Sequence, residues 1–141
     1  MAIDILNEYA MQDGAMHEPK HDLESIIYVL IWICVLYQHP ASLQGTPRST
    51  QSTCLSARTK CNSLQEVQSL ASLKAGELLT QVPVKQFTGY FEGLKDPVHQ
   101  LYEAIARCYK LENPLTHDTV RLILLDAFFT VQEPQPTMDC V

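Results

Sequence analysis

The apolar residues in the second half of the chain recur every three or four positions, which is the spacing of one face of an α-helix. Three such faces are present. The first is formed by Leu64, Val67, Leu70, Ala71 and Leu78, the second by Val98, Leu101, Tyr102, Ile105, Ala106 and Tyr109, and the third by Val120, Ile123, Leu124, Ala127 and Phe128. The pattern therefore predicts three amphipathic helices that bury these residues.

Short polar residues mark the starts of these helices, because their side chains accept hydrogen bonds from first-turn amides. Ser63 or Asn62 caps the first helix, Asp96 followed by Pro97 starts the second, and Thr116 caps the third. The predicted helices span residues 63–79, 97–109 and 117–131, with a short turn or helix at Phe87 to Tyr90.

The stretch from Leu23 to Gln38 is apolar on nearly every side and longer than an ordinary strand, so it predicts a helix. Asp22 is the expected N-cap, and His39-Pro40 ends the helix. A helix without a polar face is expected to be buried on all sides, as the central post of the domain.

The remaining segments are polar and lack periodicity. Residues 41–62 are rich in Ser, Thr, Gln and Pro and predict a long, flexible surface loop, and residues 132–141 predict a frayed tail. No run alternates convincingly at strand spacing, and the 141 residues fit one compact domain. The expected fold class is mainly α.

Composition narrows the possible partners. The net charge of -6 argues against nucleic acid, because proteins that bind the phosphate backbone usually carry a basic face. Five cysteines without C-x-x-C spacing suggest neither a disulfide framework nor a zinc knuckle, so a reducing intracellular compartment is expected. The start "MAIDILNEYA" lacks a signal-peptide pattern, and the apolar run from Ile26 to Tyr37 is too short for a membrane span.

His17, Glu18 and His21 spell H-E-x-x-H, in which two histidines on one helical face share a zinc ion and the glutamate polarises a bound water. Pro19 lies inside this pattern. A proline removes an amide donor and pushes the preceding residue towards extended geometry, so His17 and Glu18 are expected to lie outside the helix. A zinc hydrolase is thus only a remote alternative, and no metal site is expected.

Several sequence motifs resemble motifs of the fungal-type protein kinases. "HDLESIIYVLIWI", from His21, is similar to that family's H-D-L-E-S-F-F-Y-V-L-x-W signature at the start of a buried central helix. Met1 to Leu6 are similar to the M-A-x-E-x-L word that closes the family's activation segment. "GYFEGLKDPVHQLYEAI" and "LTHDTVRLILLDAF" resemble the last two helices of the large lobe. The resemblance implies part of a kinase-like C-lobe over residues 1–141.

Two structural anchors follow from this resemblance. Asp22 corresponds to the aspartate that anchors the catalytic loop by accepting its backbone amides. Asp4 stands where the family usually has Glu, and its arginine partner would be Arg107 or Arg121. The Asp side chain is one methylene shorter, so its reach towards either arginine is reduced.

The sequence motifs that a protein kinase needs for catalysis do not occur in this sequence. These are a Gly-rich loop, a strand lysine, a catalytic-loop Asp and Asn, and a D-F-G aspartate. They would lie upstream of the matched segment, so either an incomplete gene model or a real truncation is expected. The first hypothesis is a kinase fragment that is catalytically incompetent by itself, whose complete relatives use ATP and Mg²⁺ to phosphorylate protein Ser or Thr. The second is a non-catalytic helical module that binds proteins or regulates a kinase.

Overall fold

Five α-helices make up most of the computed structural model, which describes residues 2–11, 16–38, 48–58 and 63–131. No strand occurs in these ranges, so the mainly α prediction is confirmed. None of the helices described is long and apolar enough to cross a membrane. The helices are α1 (Ile3–Met11), α2 (Pro19–Leu36), α3 (Leu64–Thr80), α4 (Lys95–Tyr109) and α5 (His117–Thr130).

The core lies between α2 and α4. The inward face of α2 places Ile27, Ile31 and Val35 one turn apart, and all three are almost completely buried. The predicted apolar face of α4 meets them, because its residues Val98, Leu101, Tyr102 and Ile105 are buried in the same cluster. α1 packs mainly against α3, and α5 packs on α4.

The start of α2 differs from the prediction. The helix begins at Pro19 and its N-cap is Glu18, whose extended backbone (φ -118°, ψ 153°) is the geometry expected before a proline. Pro19 occupies the first helical position, where the missing amide would have no acceptor. Asp22 is therefore not the N-cap. It lies in the first turn with an exposed side chain.

The prediction that α2 is buried on all sides is wrong. Ile26 is 60% exposed and Val29 is 59% exposed, on the side of α2 that faces away from Ile27 and Ile31. The physical reason is that the described residues provide no element to cover this side. At its other end α2 stops at Leu36, and Thr88 satisfies two of the last carbonyl groups there, donating its amide to Cys34 and its hydroxyl to Tyr37.

Part of the predicted loop 41–62 is ordered. Residues 48–58 contain two 3-10 helices, Thr50–Ser52 and Cys54–Arg58, and Leu55 is completely buried in the core cluster. The expectation of a purely surface segment is therefore wrong for Leu55, because this apolar side chain packs into the core. Residues 41–47 and 59–62, like the predicted frayed tail 132–141, lie outside the described residues.

Of the four predicted caps, those of α3 and α5 are right, and those of α2 and α4 are wrong. The Ser63 hydroxyl accepts from the Glu66 amide at the start of α3, and the Thr116 hydroxyl accepts from the Thr119 amide at the start of α5. Asp96 does not cap α4, which begins at Lys95, two residues earlier than predicted, with Leu94 as its N-cap. A 3-10 helix, Gly89–Leu94, runs directly into α4, so the chain reaches this helix already helical. This 3-10 helix includes the second half of the predicted turn or helix at 87–90, and another 3-10 helix, Val82–Gln86, ends just before it.

The predicted burial of α5 is only partly right. Val120 and Ala127 are buried, whereas Leu124 and Phe128 are exposed. α5 is apolar around most of its circumference, and among the described residues it is the side centred on Val120 and Ala127 that is buried. Apolar periodicity alone does not show which of two apolar faces is covered.

The two predicted capping residues are expected to respond differently to truncation. Thr116→Ala removes a cap hydrogen bond and is expected to lower the free energy of unfolding by about 0.5–2 kcal/mol. Asp22→Ala in the same chain is expected to change it by no more than about 0.5 kcal/mol, because this side chain is exposed and caps nothing. Urea unfolding followed by circular dichroism measures both. A loss at Asp22 as large as that at Thr116 would contradict the assignment of Glu18 as the cap.

Candidate functional site

A buried carboxylate joins three helices where α1 meets α2. Glu24 is 2% exposed, and its Oε1 accepts a hydrogen bond from the Ile3 amide at 3.0 Å. Its Oε2 accepts from the Tyr109 hydroxyl at 2.7 Å. Ile3 is the first residue of α1, so Glu24 satisfies an amide that has no partner within its own helix and places negative charge at the positive helix end.

The Tyr109 hydroxyl makes two contacts in this network. It donates to Glu24 and also accepts from the Asp4 amide at 3.3 Å. Burial raises the pKa of Tyr109 far above its usual range, and the negative charge of Glu24 and the hydrogen bond to it raise it further. Tyr109 therefore remains a neutral hydroxyl donor at all physiological pH values.

Among the described side chains, Asp4 pairs with residues of α2 and with neither Arg107 nor Arg121. Its Oδ2 lies 3.3 Å from Lys20 Nζ and 3.6 Å from His21 Nε2. Of the two arginines considered, Arg107 contacts Glu103 of its own helix, at 3.5 Å. The short Asp side chain reaches Lys20 because Lys20 lies in the first turn of the neighbouring helix α2. Since Asp4 and Lys20 are each about one-third exposed, this pair is worth little by itself.

His21 is buried and serves the start of α2. Its Nδ1 accepts a hydrogen bond from the Glu18 amide at 3.0 Å, so in the neutral ring the proton is on Nε2. Nε2 is buried without a hydrogen-bond partner among the described residues, and Asp4 Oδ2 is the acceptor that it faces.

The three residues of the H-E-x-x-H word do not share one helical face. His17 and Glu18 precede α2, as Pro19 predicts, and the ring centres of His17 and His21 are 5.7 Å apart. His17 Nε2 lies 3.4 Å from Asp22 Oδ1. Glu18 pairs with Lys20 at 2.9 Å, which lowers the pKa of Glu18, and the same contact raises the pKa of Lys20. The described part of the chain contains no group of three His, Cys, Asp or Glu residues that could hold a metal ion.

Asp22, Ile26 and Val29 form an exposed row on α2, which we call the α2 stripe. They are spaced four and three residues apart, so they lie on one side of the helix, opposite the core. The stripe begins with a carboxylate and continues with two large apolar side chains. Exposed apolar rows of this kind indicate an interaction surface more often than isolated apolar residues do.

An apolar cavity lies on either side of the α2 stripe. The first, of about 380 Å³, is lined by Val29 and lies between α1, α2 and α3. Its lining includes Lys74, whose ammonium group lies 3.9 Å from the ring centre of Tyr28. The second, of about 560 Å³, is a groove between α2 and α5 that is lined by Ile26. Its walls are formed by Leu23, Ile26, Val120, Leu124, Leu125 and Phe128, with His117 and Arg121 also lining it.

Sequence reasoning did not identify Glu24 and Tyr109 as site residues. A signal for Glu24 exists, because it lies three residues before Ile27 and is therefore in register with the buried face of α2. A carboxylate in register with a buried face requires hydrogen-bond donors. Tyr109 is the last residue of the predicted apolar face of α4. Its hydrogen-bond partners, Asp4 and Glu24, are near the start of the chain, so no local sequence pattern reveals them.

Comparison with known proteins gives one match. A family model described as fungal protein kinase matches residues 1–34, which cover α1 and most of α2 and include Asp4, His21, Asp22 and Glu24. The match does not reach α3, α4 or α5. No curated protein and no solved structure matches the chain. The N-terminal quarter is thus similar to the fungal protein kinases.

Removal of the Tyr109 hydroxyl tests the network. Tyr109→Phe leaves Glu24 buried with one donor fewer, so we expect the free energy of unfolding to fall by about 1–3 kcal/mol at neutral pH. A raised pKa in the folded state means that stability is fully present below the unfolded tyrosine pKa of about 10 and is lost as the pH rises above it. The difference between the two proteins should therefore shrink above about pH 10.

Urea unfolding at a series of pH values measures this effect, and Tyr37→Phe is the matched control because Tyr37 is exposed. Equal losses in the two variants, or a difference that does not depend on pH, would argue against the buried Tyr109–Glu24 hydrogen bond.

Proposed function

We propose that this chain is the helical platform of a fungal-type protein kinase large lobe. In this proposal α2 is the central helix, and the catalytic loop that it supports belongs to kinase sequence outside these 141 residues. The reaction of the whole kinase is transfer of the γ-phosphoryl group of ATP to a protein Ser or Thr hydroxyl. The chain alone is catalytically silent.

The α2 stripe is the observation that carries this proposal. It lies on the helix that the family model covers, and it combines an exposed carboxylate with exposed apolar residues. Complete burial of a Val or Ile side chain is worth about 1.5–3 kcal/mol, so covering the exposed parts of Ile26 and Val29 would contribute roughly 1–2 kcal/mol each. A loop seated on the stripe would be held by apolar contact along its length.

Asp22 is the polar end of the α2 stripe. A carboxylate offers about four acceptor sites, and His17 approaches only Oδ1, at 3.4 Å. Because the side chain is 67% exposed, its other acceptor sites are accessible to backbone amides of a partner. In the kinases that this sequence resembles, the aspartate at this point accepts such amides from the catalytic loop, and so fixes the position of the catalytic residues.

The groove between α2 and α5 favours a second candidate function. Its walls are almost entirely apolar, and it is open to solvent beside the exposed Phe128. A non-catalytic helical module would use such a groove to bind a segment of another protein or of a full-length kinase.

The two candidate functions predict different DNA sequences upstream of this chain. In-frame H-x-D and D-F-G words in the DNA upstream of Met1 support the kinase platform, and a promoter and stop codon there support the stand-alone module.

The chain of 141 residues is expected neither to bind ATP nor to transfer phosphate. The reason is that the phosphate-cradling loop, the strand lysine and the metal-binding aspartate do not occur in its sequence. Isothermal titration calorimetry with Mg²⁺ and ATP measures binding, and radiolabelled ATP with a generic protein substrate measures transfer. Saturable binding in the millimolar range or tighter would contradict this assignment.

Asp22→Ala in a longer chain that includes the upstream kinase words tests the platform itself. We expect the rate of phosphoryl transfer to fall about 100-fold or more while ATP affinity changes little, because the damage affects positioning and not nucleotide contacts. Steady-state kinetics and ATP titration separate the two effects. Asp96→Ala is the control, since it removes an exposed first-turn aspartate from a different helix, α4. Unchanged turnover in the Asp22 variant would show that this residue does not anchor a catalytic loop.

A further inference from the structure

We propose that α5 is a dimerisation element that pairs side by side, in parallel, with α5 of a second copy of this chain. The contact surface consists of Leu122, Leu125 and Phe129, which we call the α5 seam. This inference is independent of the kinase platform, which uses α2, and neither proposal requires the other.

The exposure of α5 indicates such a surface. Leu122 is 62% exposed, Leu125 is 42% exposed and Phe129 is 80% exposed. They follow one another at intervals of three and four residues, which is the spacing of the a and d positions along a two-helix coiled coil. The Phe129 ring is also held in place by an edge contact with the Phe128 ring, at 5.4 Å between ring centres.

The position of the seam leaves room for a second domain. At about 100° per residue, the seam lies roughly opposite Val120 and Ala127, the residues by which α5 packs on its own domain. Two copies that meet at the seam would therefore extend away from each other. Because α5 is already helical in each copy, pairing does not have to overcome the cost of starting a helix.

Charge indicates both the partner and its direction. Arg121 and Asp126 are exposed and border the seam on opposite sides, five residues apart. In a parallel pair, the position before a contacts the e position five residues later on the partner, so Arg121 of each copy faces Asp126 of the other. In an antiparallel pair, like flanks face each other, and this contact is lost. α5 thus complements a parallel copy of itself.

Asp118 sets the N-terminal limit of the contact. It precedes Leu122 by four residues and would bring two carboxylates together if the seam continued to the first turn. The paired helices are therefore expected to diverge before Arg121. With three apolar residues per copy, the dimer should be weak and in exchange with the monomer.

Sedimentation equilibrium of the whole chain over a range of concentrations tests the proposal. We expect the mass to rise from the monomer value of 15.9 kDa towards twice that value. Leu122→Gln and Phe129→Gln are each expected to weaken association at least tenfold, whereas the control Leu79→Gln, at an equally exposed position on α3, should not. Circular dichroism checks that each variant is folded.

A charge exchange tests the direction of pairing. Arg121→Glu alone places two carboxylates together on each side of the dimer, and Asp126→Lys alone places two cations together, so each variant should associate less than the original chain. An equimolar mixture of the two variants restores both opposite-charge contacts, and should form mixed dimers at least as readily as the original chain. Recovery in the mixture supports the parallel pair.

The proposal is wrong if the folded chain stays monomeric at every concentration. It is also wrong if it dimerises with an affinity that the substitutions at Leu122 and Phe129 do not change. A dimer that depends on the seam but shows no recovery in the mixture of charge variants would overturn the parallel arrangement. Protection of the seam from hydrogen exchange in a monomer would show that another part of the same chain covers it.

Discussion

The fold depends on the buried carboxylate of Glu24. A charged group placed in the interior is costly unless hydrogen bonds replace its lost hydration. Here the replacements are the first amide of α1 and the hydroxyl at the end of α4. Both donors are distant from Glu24 in the sequence, so the carboxylate is satisfied only when both helices are docked on α2. It therefore penalises any arrangement in which α2 is helical and buried but one of the other two helices is displaced.

The same interaction determines which way α2 faces. With Glu24 directed inward, Ile27 and Ile31 are also directed inward, and Asp22, Ile26 and Val29 are directed outward. A helix as uniformly apolar as α2 has little other reason to prefer one rotation, because β-branched residues occur on all its sides. The α2 stripe is thus a consequence of Glu24, and the candidate function of the stripe depends on a residue that does not belong to it.

Much of the helical framework could be predicted from local patterns. The apolar face of α4 and the caps at Ser63 and Thr116 depend on near neighbours in the sequence, and the structure has them as predicted. The start of α2 is predicted at Asp22 because aspartate is a favoured N-cap residue and glutamate is not. In the structure the preference of Pro19 for the first helical position outweighs this difference, and Glu18 is the N-cap. The Glu24 network was not predictable in detail, since its donors come from residues about 20 and 85 positions away.

The errors about burial in α2 and α5 have a common physical origin. A pattern shows that a residue is apolar, but not whether its cover comes from the same chain. Both helices are apolar on more sides than the described residues can cover, and the two surplus faces differ in kind. The α2 stripe has a carboxylate at one end only, so it suits an unlike partner that supplies amides. The α5 seam has opposite charges on its two flanks, so it suits a copy of itself. The pattern of charge around an apolar face, more than its apolar character, indicates what covers it.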